Sequence, residues 1–147
     1  MAQAPRWGVA TLLCMLAGIA FAQTDKSNNL AGEEIHIELN KLEPQDNACR
    51  TYLVLYNRTK MEFDEIGLDV FIFDKDGVIA RRVALTFRPI KPAKTRVVLF
   101  DIANVRCESI GRFLINSVLS CKTPNGNANA CTDMLTVSTR TGAELAD

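Results

Sequence analysis

The chain has 147 residues, 48% of them apolar and 23% charged, with 17 basic residues against 17 acidic ones. That length and mix suit one folded domain with a sizeable core and exclude a wholly disordered chain. A formal net charge of zero excludes the overall cationic field expected of a nucleic-acid or anionic-membrane binder.

The chain opens with one cation, Arg6, then an uncharged apolar run from Val9 to Phe21, closed by Ala20-Phe21-Ala22. A small-x-small end after a run too short to cross a bilayer is the pattern of a secretory signal peptide, expected over residues 1–22. Thr11-Leu12-Leu13 before Cys14 lacks the small residues that precede a lipid-modified cysteine. Removing the signal leaves 16 cations and 17 acids, and no other run predicts a membrane span in the mature chain. A periplasmic or secreted location follows as the expectation. Residues 23–32 are polar and read as a flexible leader.

Strand signals then repeat. Ile35, Ile37 and Leu39 alternate with Glu34, His36 and Glu38, which predicts a half-buried strand at a sheet edge. Cys49 to Tyr56 is apolar on both faces, as a central strand is. Ile66, Leu68, Val70 and Ile72 share one face of a third strand, with Phe71 and Phe73 on the other. Val83, Leu85 and Phe87 share a face of a fourth, opposite Arg82, Thr86 and Arg88. Val97 to Ile102, Ile110 to Cys121 and Met134 to Thr139 follow as the fifth to seventh. No long stretch carries a 3.6-residue apolar period. Seven short strands without a long helix predict an all-β domain, a single immunoglobulin-like β-sandwich over residues 33–140. Residues 141–147 are expected as a flexible tail.

Asp74-Lys75-Asp76-Gly77 resembles part of a calcium loop. Such a loop needs oxygen ligands at positions 1, 3 and 5, Gly at 6 and an acid at 12. With Gly77 at position 6, Ile72 and Val83 fall at positions 1 and 12. Neither offers a side-chain oxygen. Asp-Gly between alternating apolar runs is instead a hairpin turn.

Without Cys14, four cysteines remain: Cys49, Cys107, Cys121 and Cys131. An even count in an exported domain predicts two disulfides. The loop-like Lys122–Ala130 stretch favours Cys121–Cys131, leaving Cys49–Cys107. There is no C-x-x-C pair for zinc or for a redox dithiol.

Catalytic and cofactor signals are weak. His36 is the sole histidine, and nothing in the spacing brings it to Met61 and Met134 as a copper site would need. There is no G-x-S-x-G and no cysteine left for a Cys–His pair. No catalytic residue, metal ligand or cofactor is assigned, and the chain is expected not to be an enzyme. Asn57-Arg58-Thr59 matches the N-glycosylation sequon.

Charge is distributed unevenly. Arg81, Arg82, Arg88, Lys91, Lys94 and Arg96 fall within sixteen residues, and no acid occurs from Gly77 to Phe100. Cross-strand pairing with the acids of Glu62 to Asp76 would neutralise such a face. Left unpaired, the six would form a cationic interaction surface for an acidic partner.

Leu68-Asp-Val-Phe-Ile-Phe-Asp-Lys-Asp-Gly77 followed by Ile90-Lys-Pro-Ala-Lys-Thr-Arg-Val-Val-Leu-Phe100 resembles the FxLYD-type domains, small immunoglobulin-like sandwiches of bacterial and archaeal envelopes. Ala93 stands where those domains carry Gly. The resemblance implies the sandwich fold and no catalytic residue. The combined expectation is a periplasmic, non-catalytic binding or protein-interaction module. Its partner would be an envelope protein or an anionic polymer. Its contact surfaces would be the first strand's edge, Glu34–Asn40, and the basic stretch. The alternatives are a metal or small-ligand carrier using His36, and a small hydrolase.

Overall fold

The computed structural model describes Met1, residues 32–128 and residues 130–147. The expected signal peptide and leader lie outside the described residues, apart from Met1 and Gly32.

Two antiparallel-based sheets pack face to face. The long strands are β1 (Ile35–Gln45), β2 (Ala48–Asn57), β3 (Glu65–Asp74), β4 (Ile79–Phe87), β5 (Thr95–Ala103) and β6 (Ile110–Thr123). A two-residue β7 (Gly126–Asn127) precedes a single helical turn, α1 (Cys131–Met134). Then come β8 (Leu135–Thr139) and a short β9 (Glu144–Ala146). One sheet has the order β5-β2-β1-β8; the other runs β4-β3-β6-β7, with β9 also beside β6. This is the expected immunoglobulin-like sandwich. Its seven strands of five residues or more coincide with the seven read from alternation.

Period-two patterning builds the core. Ile35, Ile37 and Leu39 of β1, Leu53 and Leu55 of β2, and Ile66, Leu68, Val70 and Ile72 of β3 all point between the sheets. Phe63, Phe87 and Phe113 fill the middle. Disulfides join Cys49 to Cys107 and Cys121 to Cys131, the favoured pairing.

Two expectations change. The first strand is not an edge: β8 pairs with β1 in parallel from Ile35↔Leu135 to Leu39↔Thr139. The backbone groups expected to accept an added strand are already bonded. The last residues form a strand rather than a tail. β9 pairs with β6 from Arg112↔Glu144 to Leu114↔Ala146, and Ala143 and Leu145 are buried. Burial of these two side chains, the pairing with β6 and the Thr139 and Thr141 hydroxyls that donate to Ala143 O together dock this segment.

Candidate functional site

The Asp74–Val78 turn is a closed hairpin. Asp74 Oδ1 accepts the backbone N–H groups of Asp76 (3.0 Å) and Val78 (2.8 Å). Gly77 sits at φ +81° and donates its N–H to Asp74 O at 3.1 Å. One Asp74 carboxylate oxygen is thus committed to holding the turn, as the short polar side chains of turns do.

The basic stretch divides into two groups. Arg82 forks onto Asp69, with Nε–Oδ1 at 2.7 Å and NH2–Oδ2 at 3.2 Å. Its guanidinium also lies 5.3 Å from the centre of the Phe71 ring. Asp69 is 2% exposed, and Asn116 Nδ2 donates to it at 3.0 Å. Arg82 and then Asn116 hold the Asp69 carboxyl below its ordinary range. Arg88 pairs with Glu65, which also meets Lys122 Nζ at 3.1 Å. The Ser120 hydroxyl, then Lys122, with Arg88 nearby, hold the Glu65 carboxyl down at about 2. For these two arginines the cross-strand pairing is what forms.

The other four cations are different. Among the described residues, Arg81, Lys91, Lys94 and Arg96 meet no carboxylate at ion-pair distance. Arg81 donates instead to Ala80 O at 2.9 Å and to Ala103 O at 3.0 Å. Arg96 Nε donates to Pro89 O at 2.7 Å. Their charge therefore stays uncompensated on the side where β4 and β5 end their sheets. A groove of about 350 Å³ runs there, lined by Thr86, Phe87, Arg88, Arg96, Val97 and Val98.

The backbone of β5 completes this side. At one end of its pairing with β2, Lys94 O accepts from Asn57 N–H at 3.0 Å; at the other, Asn104 N–H donates to Asn47 O at 2.9 Å. No register shift intervenes. In a regular antiparallel pair, every second residue bonds the same neighbour. The even-numbered residues therefore face β2. Thr95, Val97, Leu99, Asp101 and Ala103 turn their N–H and C=O groups to the open edge. Arg81 satisfies the carbonyl of Ala103. The others have no bonded partner among the described residues. Val97 and Leu99 are also 52% and 51% exposed. They lie opposite Val54 and Tyr52 of β2 on the outer sheet face.

His36 belongs to a different seam. Its Nδ1 lies 2.9 Å from Thr136 Oγ1 and its Nε2 lies 2.8 Å from Ser138 Oγ. Thr136 Oγ1 donates on to Glu34 Oε2 at 3.0 Å. With that bond made, a consistent arrangement has Nδ1–H donating to Thr136 and Ser138 donating to Nε2. Both hydroxyls come from β8 and the ring from β1, so the row ties the two strands together. Both ring nitrogens, the atoms a metal would use, are engaged. A Ser–His pair exists, but its third member is a threonine hydroxyl rather than the carboxylate of a hydrolytic triad.

The sequon at Asn57 is used internally. Asn57 is 1% exposed. Its Nδ2 donates to Met61 O at 2.8 Å, and its Oδ1 accepts from Thr59 N and Oγ1. The amide that would carry a glycan is buried in the fold.

Sequence reasoning missed the β5 edge and the Ser138 and Thr136 partners of His36. Val97-Val98-Leu99-Phe100 is an uncharged β-forming run, the signal that an edge is unguarded if it is an edge. Nothing local says that it is one.

No family model and no curated protein sequence matches the chain. Among solved structures it is similar to IrmA from Escherichia coli. The TM-score is 0.56 and the identity 12%, over 71% of this chain and 91% of that one. At that identity the likeness concerns the sandwich fold alone.

Proposed function

We propose that this chain is a non-catalytic binding module acting in an oxidising compartment outside the cytoplasm, and that its contact side is the β4–β5 side. The observation that carries the reading is the set of four cations, Arg81, Lys91, Lys94 and Arg96, left without carboxylates among the described residues on the β4–β5 side, with Arg96 lining the groove. A balanced chain that leaves its cations unpaired on one side presents a field that suits an acidic protein partner. The two disulfides suit an exported chain, since such bonds persist in the periplasm or outside the cell. The FxLYD-type resemblance gains support from the Lys91–Lys94 turn. Lys94 N–H donates to Lys91 O at 3.2 Å, and Ala93 sits at φ +56°, at the turn position that favours glycine.

A carrier or hydrolase centred on His36 is less well supported, because its ring is spent on Thr136 and Ser138. The test is retention of the purified protein on immobilised polyglutamate at low salt. Binding should fall as salt rises and should be lost in the Lys91→Glu/Lys94→Glu variant. Equal retention of that variant, or no retention of the native protein on either polyglutamate or an anionic polysaccharide, overturns the reading. Retention on an anionic polysaccharide but not on polyglutamate would make the partner a polymer.

A further inference from the structure

The open edge of β5 is more than a charged border. Edge strands are normally guarded by charge, proline, a bulge or a covering segment. The β4 edge has Arg81 and Arg82. The β8 edge is five residues long and turns into β9. By contrast, β5 is nine residues long, free of bulges and uncharged from Val97 to Phe100. Arg81 shows how the edge is satisfied where a donor reaches it, at Ala103 O. Along Thr95 to Asp101 nothing among the described residues does the same.

We propose that the open edge of β5 accepts an extended segment of a partner protein in which apolar and acidic residues alternate, adding a fifth strand to the β5-β2-β1-β8 sheet. The inference rests on the β4–β5 side being the contact side, and it names the partner's form. Alternation follows from the two faces. Side chains of an added strand point alternately to opposite sides of a sheet. On the outer side they would lie beside Val97 and Leu99, next to Val54 and Tyr52. That position suits apolar groups. On the inner side, at the Thr95 end, they would enter the groove beside Arg96, across from Arg88 already paired with Glu65. That position suits carboxylates, which pair well with guanidinium groups. A second copy of this chain fits less well, because it would bring Arg81, Lys91, Lys94 and Arg96 against the same four cations.

Strand addition gives affinity through backbone hydrogen bonds and specificity through alternate side chains. The test uses a capped peptide of about eight residues, valine alternating with glutamate. Two derivatives carry N-methyl groups on all the valines or on all the glutamates. Only one set of amides can face β5, so one derivative should bind about tenfold or more weakly and the other nearly as well as the parent. Replacing glutamate by lysine should abolish binding. If the parent binds and both N-methylated peptides bind equally, strand addition is wrong while the charged contact side stands. If the lysine peptide binds as well as the glutamate peptide, or neither binds, the contact-side reading falls and this proposal falls with it.

Discussion

On one lateral side of the sandwich the last segment of the chain closes the structure. On the other, the edges of β4 and β5 run side by side with no strand across them among the described residues. The closed side is stitched at several levels. β8 pairs with β1 and β9 with β6. His36 bonds Thr136 and Ser138, and Arg140 Nε meets Glu38 Oε2 at 3.0 Å. Thr139 Oγ1 donates to Ala143 O at 2.9 Å, holding the switch from one sheet to the other. On the open side, side chains reach across only at points, such as Arg81 to Ala103 O. Both sides face the same thermodynamic demand, that edge backbone groups find partners. The closed side meets it with chain, while the open side leaves it to water or to another molecule.

The largest test of this contrast removes the Cys121–Cys131 disulfide. It links β6 to α1, the turn that delivers β8 to β1. Its ten-residue separation makes the closure worth about 3 kcal/mol on the chain-entropy model. A Cys121→Ala/Cys131→Ala variant should lose about that much in urea unfolding. Its amide exchange should accelerate in β8 and β9 well before β4 or β5. Equal acceleration on both sides would mean that the closed side is not closed by its tether.

Acid should loosen both sides through different carboxylates. Asn40 and then Arg140 hold Glu38 on β1 below its ordinary range, as Arg82 and Asn116 hold Asp69 on β3. Glu65 is held at about 2 from an ordinary 4.5. A group whose folded value is depressed binds protons first in the unfolded chain, so stability falls as pH drops through that interval. Melting temperature should be nearly flat from neutrality to about pH 5 and fall steeply towards pH 2. Glu65→Gln should flatten that fall, and Glu38→Gln should flatten it while also raising exchange in β8.

A lesser effect is expected at the seam itself. His36→Ala removes two side-chain hydrogen bonds between β1 and β8 and should cost about 1–2 kcal/mol by denaturant titration. Because Thr136 and Ser138 are only half-buried, water can replace the ring, which keeps the loss modest. No change would show that backbone pairing alone holds β8. On the open side, Ala93→Gly should stabilise by about 0.5–1 kcal/mol, since a left-handed residue with a Cβ is strained in this turn. A loss of stability would show that unfolded-chain entropy outweighs the strain.

How much of this was legible in the sequence depends on range. Period-two alternation placed Ile35, Ile37 and Leu39 in the core because each residue's face is a local property. The Asp74–Gly77 hairpin was legible for the same reason. β9 escaped, since a strand of three residues is too short to alternate. Edge status escaped as well, because it is decided by pairing across the whole chain: β1 is interior only because β8, some hundred residues later, lies beside it. The same non-local pairing turned an ordinary apolar run at Val97 into an exposed one. The six-cation surface was half legible. Composition showed the cluster, but only the β3–β4 register brings Arg82 and Arg88 to carboxylates and leaves the other four without them.

The smallest expected effect on stability is the most informative about the open side. Val97 is about half exposed on an edge strand, so Val97→Lys buries no charge and opens no cavity. Its effect on folding should stay within about 0.5 kcal/mol. A lysine there is the guard that edge strands commonly carry and this one lacks. It would stand beside an incoming strand and replace an apolar surface by a solvated charge. Binding of the valine–glutamate peptide should fall although the added charge is of the attractive sign, because the substitution removes apolar burial and adds only a screened attraction. Stronger binding by the variant would show that charge alone governs this side, and that the free backbone of Val97 and Leu99 is bystander to it.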